Sequence, residues 1–305
     1  MRIAILGAGA MGMLFGAYLS KENDVVLIDI DPARVESINR SGITVVEKDG
    51  TSNIFRPGAA TTSQGIDPVD LIIVFVKSMY SQSALEANRA LIGDHTYIMS
   101  LQNGSGHEEV LLKFAPENRI ILGATQHNSS VGSSVEVHHG GGGHTYIGLL
   151  TGETVPLVTI ADCFQQCNLD VTVSDHIQMK IWEKMFLNVS ASVLTAILQV
   201  KLGYILDNKY AWELAERLIR EAVAVAVAKG LEFSADAVVK DVQHLLEGAR
   251  EGWTSIYADI RDGRKTEVDS ITGSVIRAAQ KLGVPVPTHQ CVSHLVHALE
   301  GKHTQ

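Results

Sequence analysis

Lys184 is a charged side chain within an otherwise mostly apolar stretch of the sequence. It lies in the segment Ile181-Trp182-Glu183-Lys184-Met185-Phe186-Leu187-Asn188. Asn188 is one helical turn further along on the same face, and Ser192 follows after another turn. A lysine that shares a helix face with an amide and a hydroxyl, among aromatic residues, can serve as a proton donor. A solvent-exposed surface lysine is the alternative interpretation of the same pattern.

Ser255 and Glu267 belong to a second segment rich in polar residues. Thr266 and Asp269 have the spacing of a capping box, which predicts a helix that starts at this point. Glu267 then lies in the first helical turn, where a carboxylate favours the helix dipole. From its position alone, Ser255 is an ordinary serine on a helix surface.

The chain begins with a strand pattern, residues 2–6, that runs directly into the turn G-x-G-x-x-G. In this arrangement the first glycine allows a tight turn, the second lets the backbone approach a pyrophosphate, and the third lets helix pack against strand. The start of the following helix offers free N–H groups to the phosphates. We therefore predict a dinucleotide site rather than an ordinary βαβ unit. Its expected residues are Gly7, Gly9, Ala10, Met11 and Gly12.

Further polar residues follow the ends of predicted strands. Asp29 lies 22 residues after Gly7, where a carboxylate can accept hydrogen bonds from the ribose hydroxyls. Lys77, Asn103 and His127 each follow another apolar run. Ligands of open α/β sheets bind outside the carboxyl ends of the strands, so these side chains are candidate ligand contacts. A solvated lysine and a turn asparagine are the alternative interpretations.

The alternation of strand and helix patterns predicts an α/β fold with an N-terminal Rossmann-type doubly wound sheet over residues 1–174. Short β-branched runs separated by helical stretches are typical of buried parallel strands. The segment 130–150 has the pattern of a hairpin at the edge of this domain, with Gly140–Gly143 between its strands. The predicted strands cover 25–28, 71–76, 97–101 and 119–123.

The second half, residues 175–305, is predicted to be an all-α domain that holds the substrate and the catalytic residues. Gly230, Gly263 and the segment Val284-Pro285-Val286-Pro287 separate its helices. The predicted helices cover 176–202, 210–229, 235–249, 267–282 and 288–299.

Charge and composition exclude several classes of protein. The net charge is −9 and there is no basic stripe, so nucleic acid is not an expected partner. No uninterrupted apolar run reaches the roughly 18 residues of a membrane span, and no membrane partner is expected. The three cysteines form neither a disulfide nor a metal framework, which favours the reducing cytoplasm. His138, His139 and His144 lack further ligands at fixed spacing, so no metal is expected.

These motifs together resemble the ketopantoate reductase (2-dehydropantoate 2-reductase) family over nearly the whole chain. The segment from Ser255 to Asp269 is the most specific of them. Five motifs in the right order make a chance match improbable, and they replace the ordinary interpretations given above. The motifs are GAGAMG at residues 7–12, Val76-Lys77, Leu101-Gln102-Asn103-Gly104, Trp182-Glu183-Lys184 with Asn188, and Ser255 with the stretch Asp259–Asp269.

The resemblance implies an NAD(P)H-dependent reduction of a 2-oxo acid, ketopantoate to pantoate. It implies that Lys184 is the general acid that protonates the carbonyl oxygen and that Glu267 orients this oxygen or the lysine. Asn103 resembles the family's asparagine that positions substrate and nicotinamide. An ammonium is charged at neutral pH and can donate a proton to the oxygen on which negative charge develops, which agrees with this role.

The resemblance also implies residues that bind substrate and cofactor. Asn188 and Ser255 resemble the groups that hold the substrate's carboxylate and hydroxyl. Ser192 stands where the family often has a second asparagine, and we include it among the substrate-binding residues. Lys77 matches a family lysine near the cofactor and substrate. Tyr257 is bulkier than the family's usual residue, which leaves the identity of the 2-oxo acid open.

The residues after the second strand depart from the family's pattern. Many members carry Arg or Lys there to hold the 2′-phosphate of NADP, whereas this chain has Asp29-Ile30-Asp31. We therefore expect NADH to be preferred over NADPH. The alternative function is an NAD-dependent D-2-hydroxyacid dehydrogenase for branched or aromatic 2-oxo acids, and a less favoured one is a dinucleotide sensor without activity. The sequence leaves a homodimer open.

Overall fold

The computed structural model describes residues 1–304 and the side chains of residues 1–302. The chain forms two compact units. The first contains Met1–Gln102 and His107–Ile177, and the second contains Asn103–Gly106 and the chain from Gln178 onward. The short segment Asn103–Gly106 therefore belongs to the second unit, although it closely follows a strand of the first unit in sequence.

The first unit consists of strands with helices between them, as the apolar periodicity predicts. Its helices are α1 (Ala10–Leu19), α2 (Pro32–Ser41), α3 (Ser81–Ala87), α4 (Glu108–Leu111) and α5 (Leu157–Gln166). Its strands are β1 (Arg2–Leu6), β2 (Asp24–Ile28), β3 (Ile43–Val46), β4 (Ser52–Phe55), β5 (Gly58–Ala60), β6 (Leu71–Val74), β7 (Tyr97–Ser100), β8 (Ile120–Thr125), β9 (Ser129–Ser133), β10 (Glu136–His139), β11 (His144–Leu149) and β12 (Asp170–Val173).

Eight strands form one sheet in the order β12-β11-β8-β7-β6-β1-β2-β5. All neighbours are parallel except β11, which runs antiparallel to β8. The residues of β6 and β8, and those of β1 after Arg2, are buried, as expected for strands covered on both faces. From β1 the chain continues on one side of the sheet through β2 to β5, and it then crosses back to β6 on the other side of β1. This reversal is the switch point at which ligands of doubly wound sheets bind.

The predicted hairpin over 130–150 is wrong in its pairing. The strands on either side of Gly140–Gly143, β10 and β11, lie in different sheets. β10 pairs with β9 and β3 in a four-stranded sheet of order β4-β3-β10-β9, and α1 lies against β9 and β10. Four consecutive glycines permit the chain to pass from one sheet to the other instead of turning back on itself.

The second unit is helical throughout. The predicted long helix over 176–202 is interrupted by a π-helical turn at Asn188–Ser192 and ends at Gln199, whose φ of +56° is left-handed. The helices are α6 (Ile177–Leu187), α7 (Val193–Leu198), α8 (Leu202–Asp207), α9 (Lys209–Ala228), α10 (Ala235–Gly248), α11 (Ser255–Arg261), α12 (Thr272–Leu282) and α13 (Pro287–Glu300).

The start of the helix predicted at residue 267 lies five residues later, at Thr272. Thr266 does not form a capping box, because its hydroxyl and its N–H both donate to Glu300 Oε1 at 2.7 Å. Residues 267–271 instead form a turn in which the N–H groups of Ser270 and Ile271 donate to the Glu267 carbonyl. A contact with the end of α13 thus overrides the local capping signal.

The continuous helical segment Ile177–Leu198 is long and apolar enough to cross a membrane by length and composition alone. Because Glu183 and Lys184 interrupt its apolar sequence, the segment does not contain an uninterrupted apolar run of the roughly 18 residues that a membrane span requires. Within the protein, 67% of the most apolar window is buried. Burial of this extent is typical of the core helix of a helical unit.

His289 is a buried titratable group in this core. Its Nε2–H donates to the Leu218 carbonyl at 3.0 Å, and its Nδ1 has no hydrogen-bond partner among the described residues. The backbone N–H groups of Thr288 and His289 donate to the Glu221 carboxylate at 3.0 and 3.1 Å, which caps α13. Burial lowers the pKa of His289 from 6.5 to about 4.

We expect His289 to contribute to acid sensitivity. Because its pKa is lower in the folded state, stability is fully present above pH 6.5 and is lost as the pH falls toward 4. His289→Gln keeps an N–H donor for Leu218 and removes the titration. Urea unfolding of this variant should depend less on pH in that window than unfolding of the parent chain. His294→Gln, an exposed change in the same helix, is the control. Equal pH slopes for His289→Gln and the parent would contradict this role.

Candidate active site

The glycine turn after β1 is held tightly between the neighbouring strands. The Gly7 N–H donates to the Ile28 carbonyl at 2.8 Å, and a Cβ at residue 7 would lie 2.8 Å from the Val76 nitrogen. A Cβ on Gly12 would lie only 1.9 Å from the Gly7 carbonyl oxygen. Gly7 has φ +100°, a conformation that L side chains rarely adopt. The turn therefore requires glycine at both positions.

The start of α1 is open and carries free donors. A Cβ on Gly9 would meet no described atom within 4 Å, and no described side chain caps the helix at this point. The first intrahelical bond runs from the Met13 N–H to the Gly9 carbonyl at 2.9 Å, so the N–H groups of Ala10, Met11 and Gly12 have no partner in the helix. Open space beside a helix N-terminus without an acidic residue in its first turn fits a pyrophosphate.

Asp29 lies at the end of β2 and holds the glycine turn. Its Oδ2 accepts from the Ala8 N–H at 2.6 Å, and its Oδ1 accepts from the Asp31 N–H at 3.0 Å. Arg34 Nη1 lies 3.6 Å from Asp29 Oδ2, and Arg34 Nη2 lies 4.0 Å from Asp31 Oδ2. A carboxylate has about four lone-pair positions, so Asp29 retains capacity for further donors.

Lys77 follows β6 next to the same turn. Gln102, a residue to which the sequence patterns assign no role, fixes the backbone before it, because its Nε2 donates to the Val76 carbonyl at 2.5 Å and to Ser81 Oγ at 2.8 Å. Gln102 Oε1 accepts from Ser100 Oγ at 2.9 Å. The structure thus brings the glycine turn, Asp29 and Lys77 together at one edge of the sheet.

Lys184 lies on α6 in the second unit and is partly buried. Its neighbours in sequence, Trp182, Met185 and Phe186, are almost completely buried. Burial lowers the pKa of Lys184 to about 8, and the negative charge of Glu267 acts in the opposite direction. A lysine with a pKa near neutrality, beside a carboxylate, has the properties of a proton donor at an active site.

Asn103 and Glu267 are brought to the same part of the second unit by their backbones. Gly104 has φ +102°, and a Cβ there would lie 2.0 Å from the carbonyl oxygen of Ser270. The Ser105 N–H donates to this carbonyl at 3.2 Å. The segment that carries Asn103 is therefore packed against the turn that starts at Glu267.

Asn188 and Ser192 are the first and last residues of the π-helical turn. Ser192 is buried, and its Oγ donates to Asn188 Oδ1 at 3.4 Å. This bond fixes the orientation of the amide, and the amide N–H₂ of Asn188 is its donor group for an acceptor. π-turns within α-helices frequently occur at functional sites.

Ser255 is the first residue of α11 and is exposed. Thr254 caps this helix, since its Oγ1 accepts from the Tyr257 N–H at 3.2 Å. Tyr257 does not share the face of Ser255, because residues two apart on an α-helix lie about 200° apart. It stacks on Trp253 with ring centroids 4.2 Å apart.

Two histidines of the first unit, His127 and His139, belong to a hydrogen-bonded chain. His127 Nδ1 lies 3.0 Å from His139 Nε2, and His139 Nδ1 lies 2.8 Å from Glu47, which also accepts from Tyr18. Burial lowers the pKa of His127 to about 4. Among the described residues, no group of three or more His, Cys, Asp or Glu could hold a metal ion. The side chain of His127, which follows β8, is thus buried and bonded to His139.

Comparisons with known proteins match this architecture over its full length. The family model described as ketopantoate reductase PanE/ApbA matches residues 3–152, and the model of its C-terminal domain matches residues 176–300. The chain belongs to the ketopantoate reductase family. A 2-dehydropantoate 2-reductase of Pyrococcus abyssi is 33% identical, with 99% of this chain and 100% of the relative covered. The corresponding protein of Halobacterium salinarum is 30% identical, with 97% and 98% covered.

Solved structures give the same assignment. A D-mandelate dehydrogenase with NADH and anilino(oxo)acetate superimposes with a TM-score of 0.94 at 30% identity and 100% coverage of both chains. A 2-dehydropantoate 2-reductase from Geobacter metallireducens superimposes with a TM-score of 0.91 at 29% identity, with 98% and 99% covered. The resemblance to the family and the predicted Rossmann-type and helical fold are confirmed. The chain is an NAD(P)-dependent oxidoreductase of this family, whose substrates are 2-oxo acids.

Proposed function

We propose that this enzyme reduces the carbonyl of a 2-oxo acid with Lys184 as the general acid. The observation that carries this proposal is the lysine itself, which is held on an apolar helix with its pKa lowered to about 8 under the opposing influence of Glu267. A general acid is most effective when its pKa lies near the working pH. Lysines whose only role is to keep a surface soluble need neither burial nor a carboxylate partner.

Each residue has one task in this mechanism. A nicotinamide dinucleotide held by the glycine turn and Asp29 would supply the hydride for the carbonyl carbon. Negative charge then develops on the carbonyl oxygen, and Lys184 donates its proton to that oxygen. Glu267 favours the charged form of the lysine and orients it. Asn103, on the segment fixed against Ser270, positions the substrate, and Lys77, which follows β6 next to the glycine turn, contacts the cofactor.

The carboxylate and the hydroxyl of the substrate are held by Asn188 and Ser255. Asn188 offers its amide N–H donors, and the Ser192 hydroxyl, which donates to the amide oxygen at 3.4 Å, helps to orient them. Ser255 offers an exposed hydroxyl at the positive end of the α11 dipole, which favours a carboxylate nearby. These groups recognise any small 2-oxo acid and leave its side chain to other residues.

Two classes of substrate fit this site. Ketopantoate is the first, because full-length curated relatives at about 30% identity are 2-dehydropantoate 2-reductases. An aromatic or branched 2-oxo acid is the second, and the likeness to a D-mandelate dehydrogenase bound to NADH and anilino(oxo)acetate favours it. The carboxylate of Asp29, which suits a free 2′-hydroxyl, also points to NADH as the preferred cofactor.

A substrate panel tests the proposal. Initial rates with ketopantoate, phenylglyoxylate and branched 2-oxo acids should be measured with NADH and with NADPH. A kcat/KM for one class that exceeds the other by tenfold or more assigns the substrate. Binding of NADH without turnover of any 2-oxo acid would overturn the proposal and favour a dinucleotide sensor.

Ser255→Ala should chiefly raise KM for the 2-oxo acid. The change removes a hydrogen bond to a charged group, which is worth roughly 1.5–3 kcal/mol, or about 10- to 100-fold in KM. The KM for the nicotinamide cofactor should change little. Ser234→Ala is a matched control, since Ser234 is an exposed serine directly before α10. A higher KM for cofactor with an unchanged KM for the oxo acid would show that Ser255 contacts the cofactor instead.

A further inference from the structure

Two threonine hydroxyls join the start of α11 to the π-helical turn. Thr195, in α7, is completely buried, and Thr254 directly precedes α11. Their Oγ1 atoms are 2.8 Å apart. Thr195 Oγ1 also lies 2.8 Å from the carbonyl oxygen of Ser192, the last residue of the π-helical turn. Two segments separated by 59 residues are thus linked by hydrogen bonds.

The direction of these bonds follows from the groups at the two ends. The Tyr257 N–H can only donate, and it donates to Thr254 Oγ1 at 3.2 Å. The Ser192 carbonyl can only accept. The Ser192 carbonyl oxygen lies 2.8 Å from Thr195 Oγ1 and 3.4 Å from Thr254 Oγ1, so Thr195 gives its single proton to this carbonyl and Thr254 donates to Thr195. Each threonine hydroxyl then both accepts and donates within the chain of bonds.

This chain of bonds ends at the two residues proposed to hold the substrate. At one end, Ser255 follows Thr254 directly in sequence. At the other end, the side chain of Ser192 donates to Asn188 Oδ1 at 3.4 Å. A shift of α11 relative to the π-helical turn would therefore change the distance between the Ser255 hydroxyl and the Asn188 amide.

We propose that Thr195 and Thr254 are positioning residues that set the spacing between Ser255 and Asn188. This inference rests on the proposed function, in which those two residues bind the 2-oxo acid. Neither threonine needs to touch the substrate, because each hydroxyl is engaged within the chain of bonds. The Thr195 hydroxyl is held in place by its bond to the carbonyl of Ser192, three residues earlier, which is one of the two usual arrangements of a threonine in a helix. Groups held in their binding geometry in advance bind more tightly, because less freedom is lost on binding.

The pair of variants Thr195→Val and Thr195→Ser separates the hydroxyl from the shape of the side chain. Valine keeps the volume and loses the hydrogen bonds, whereas serine keeps the hydroxyl. We expect Thr195→Val to raise KM for the 2-oxo acid about three- to tenfold, the range for one hydrogen bond. The KM for cofactor and its dissociation constant from fluorescence titration should stay unchanged, and Thr195→Ser should restore KM.

A double-mutant cycle tests the link between the two threonines. Thr254 is the half-buried partner of the bond between the two threonines. Thr254→Val removes this bond and also the bond from the Tyr257 N–H that caps α11. If both residues act through one bond, the double variant should have the KM of Thr254→Val alone rather than the product of the two effects. Thr254→Val also serves as the test if Thr195→Val fails to fold.

Two comparisons decide the outcome. Ser274→Ala is the control. Ser274 is a buried serine in α12, and its hydroxyl donates to the carbonyl of Ile271, which directly precedes this helix. A fall in melting temperature for Thr195→Val, without a change in KM beyond that of Ser274→Ala, overturns the positioning role. If Ser255→Ala raises KM and Thr195→Val does not, the inference fails while the proposed function stands. If Ser255→Ala itself leaves KM unchanged, the proposed function of Ser255 fails.

Discussion

Lys184→Ala should lower kcat for reduction of the 2-oxo acid by about 10²–10⁴, the usual contribution of a positioned general acid. The loss should appear in kcat and in kcat/KM, because the proton is transferred only in the transition state. Binding of NADH should change little, since the glycine turn and Asp29 belong to the other unit. Single-turnover reduction rates and fluorescence titration of the cofactor measure the two quantities separately.

Lys180→Ala is the matched control for this change. Lys180 lies on the same helix, one turn before Lys184, and pairs with Glu183 at 2.9 Å. It carries the same charge, so its removal tests whether a nearby positive charge alone supports the reaction. A kcat for Lys184→Ala within about threefold of the Lys180→Ala value would remove Lys184 from the mechanism.

The pH dependence of kcat provides a second readout of the same lysine. A general acid acts in its protonated form, and the pKa of Lys184 is about 8. The rate of reduction should therefore be constant below pH 8 and fall about tenfold per unit above it. Since the charge of Glu267 raises this pKa, Glu267→Gln should move the decline to lower pH. A decline at an unchanged pH in Glu267→Gln would show that the carboxylate acts elsewhere.

Local sequence was sufficient for the parts of the fold whose determinants are local. The apolar runs at β2, β6, β7 and β8 predicted strands because parallel strands buried on both faces need continuous apolar sequence. The glycine turn could be recognised because the positive φ of Gly7 and the close approach of Gly12 exclude other residues. In both cases, a few residues close together in sequence are sufficient to determine the local structure.

The features that the sequence could not predict depend on contacts between distant residues. Thr266 and Asp269 have capping-box spacing, but Thr266 donates to Glu300, 34 residues away, and the helix starts at Thr272. The π-helical turn within the predicted long helix is accompanied by the bond between Thr195 and Thr254, 59 residues apart. Gly104 packs on Ser270 and thereby places the Asn103 segment in the helical unit. No pattern of neighbouring residues contains this information.

Cofactor choice should change more with two substitutions after β2 than with any other change in this region. The 2′-phosphate of NADPH carries about two negative charges near neutral pH, and the residues at hand are Asp29 and Asp31 with one Arg34 between them. The single positive charge of the Arg34 guanidinium does not neutralise the negative charges of two carboxylates and a phosphate. We expect kcat/KM to favour NADH over NADPH by at least tenfold. Asp29→Ser with Ile30→Arg should reverse this preference, a change in the ratio of roughly 10²–10³.

Ile30→Arg alone is the informative control for this experiment. The Ile30 side chain is 94% exposed, so an arginine there adds charge without disturbing packing. Asp29 also accepts from the Ala8 N–H at 2.6 Å. Its replacement removes this bond from the glycine turn and can therefore weaken the binding of NADH and NADPH alike. Ile30→Arg keeps that bond. It should raise kcat/KM with NADPH and leave kcat/KM with NADH nearly unchanged. Parallel titrations of the parent chain decide the underlying assignment. An efficiency with NADPH equal to or above that with NADH would mean that Asp29 serves the glycine turn only and that Arg34 moves to the phosphate.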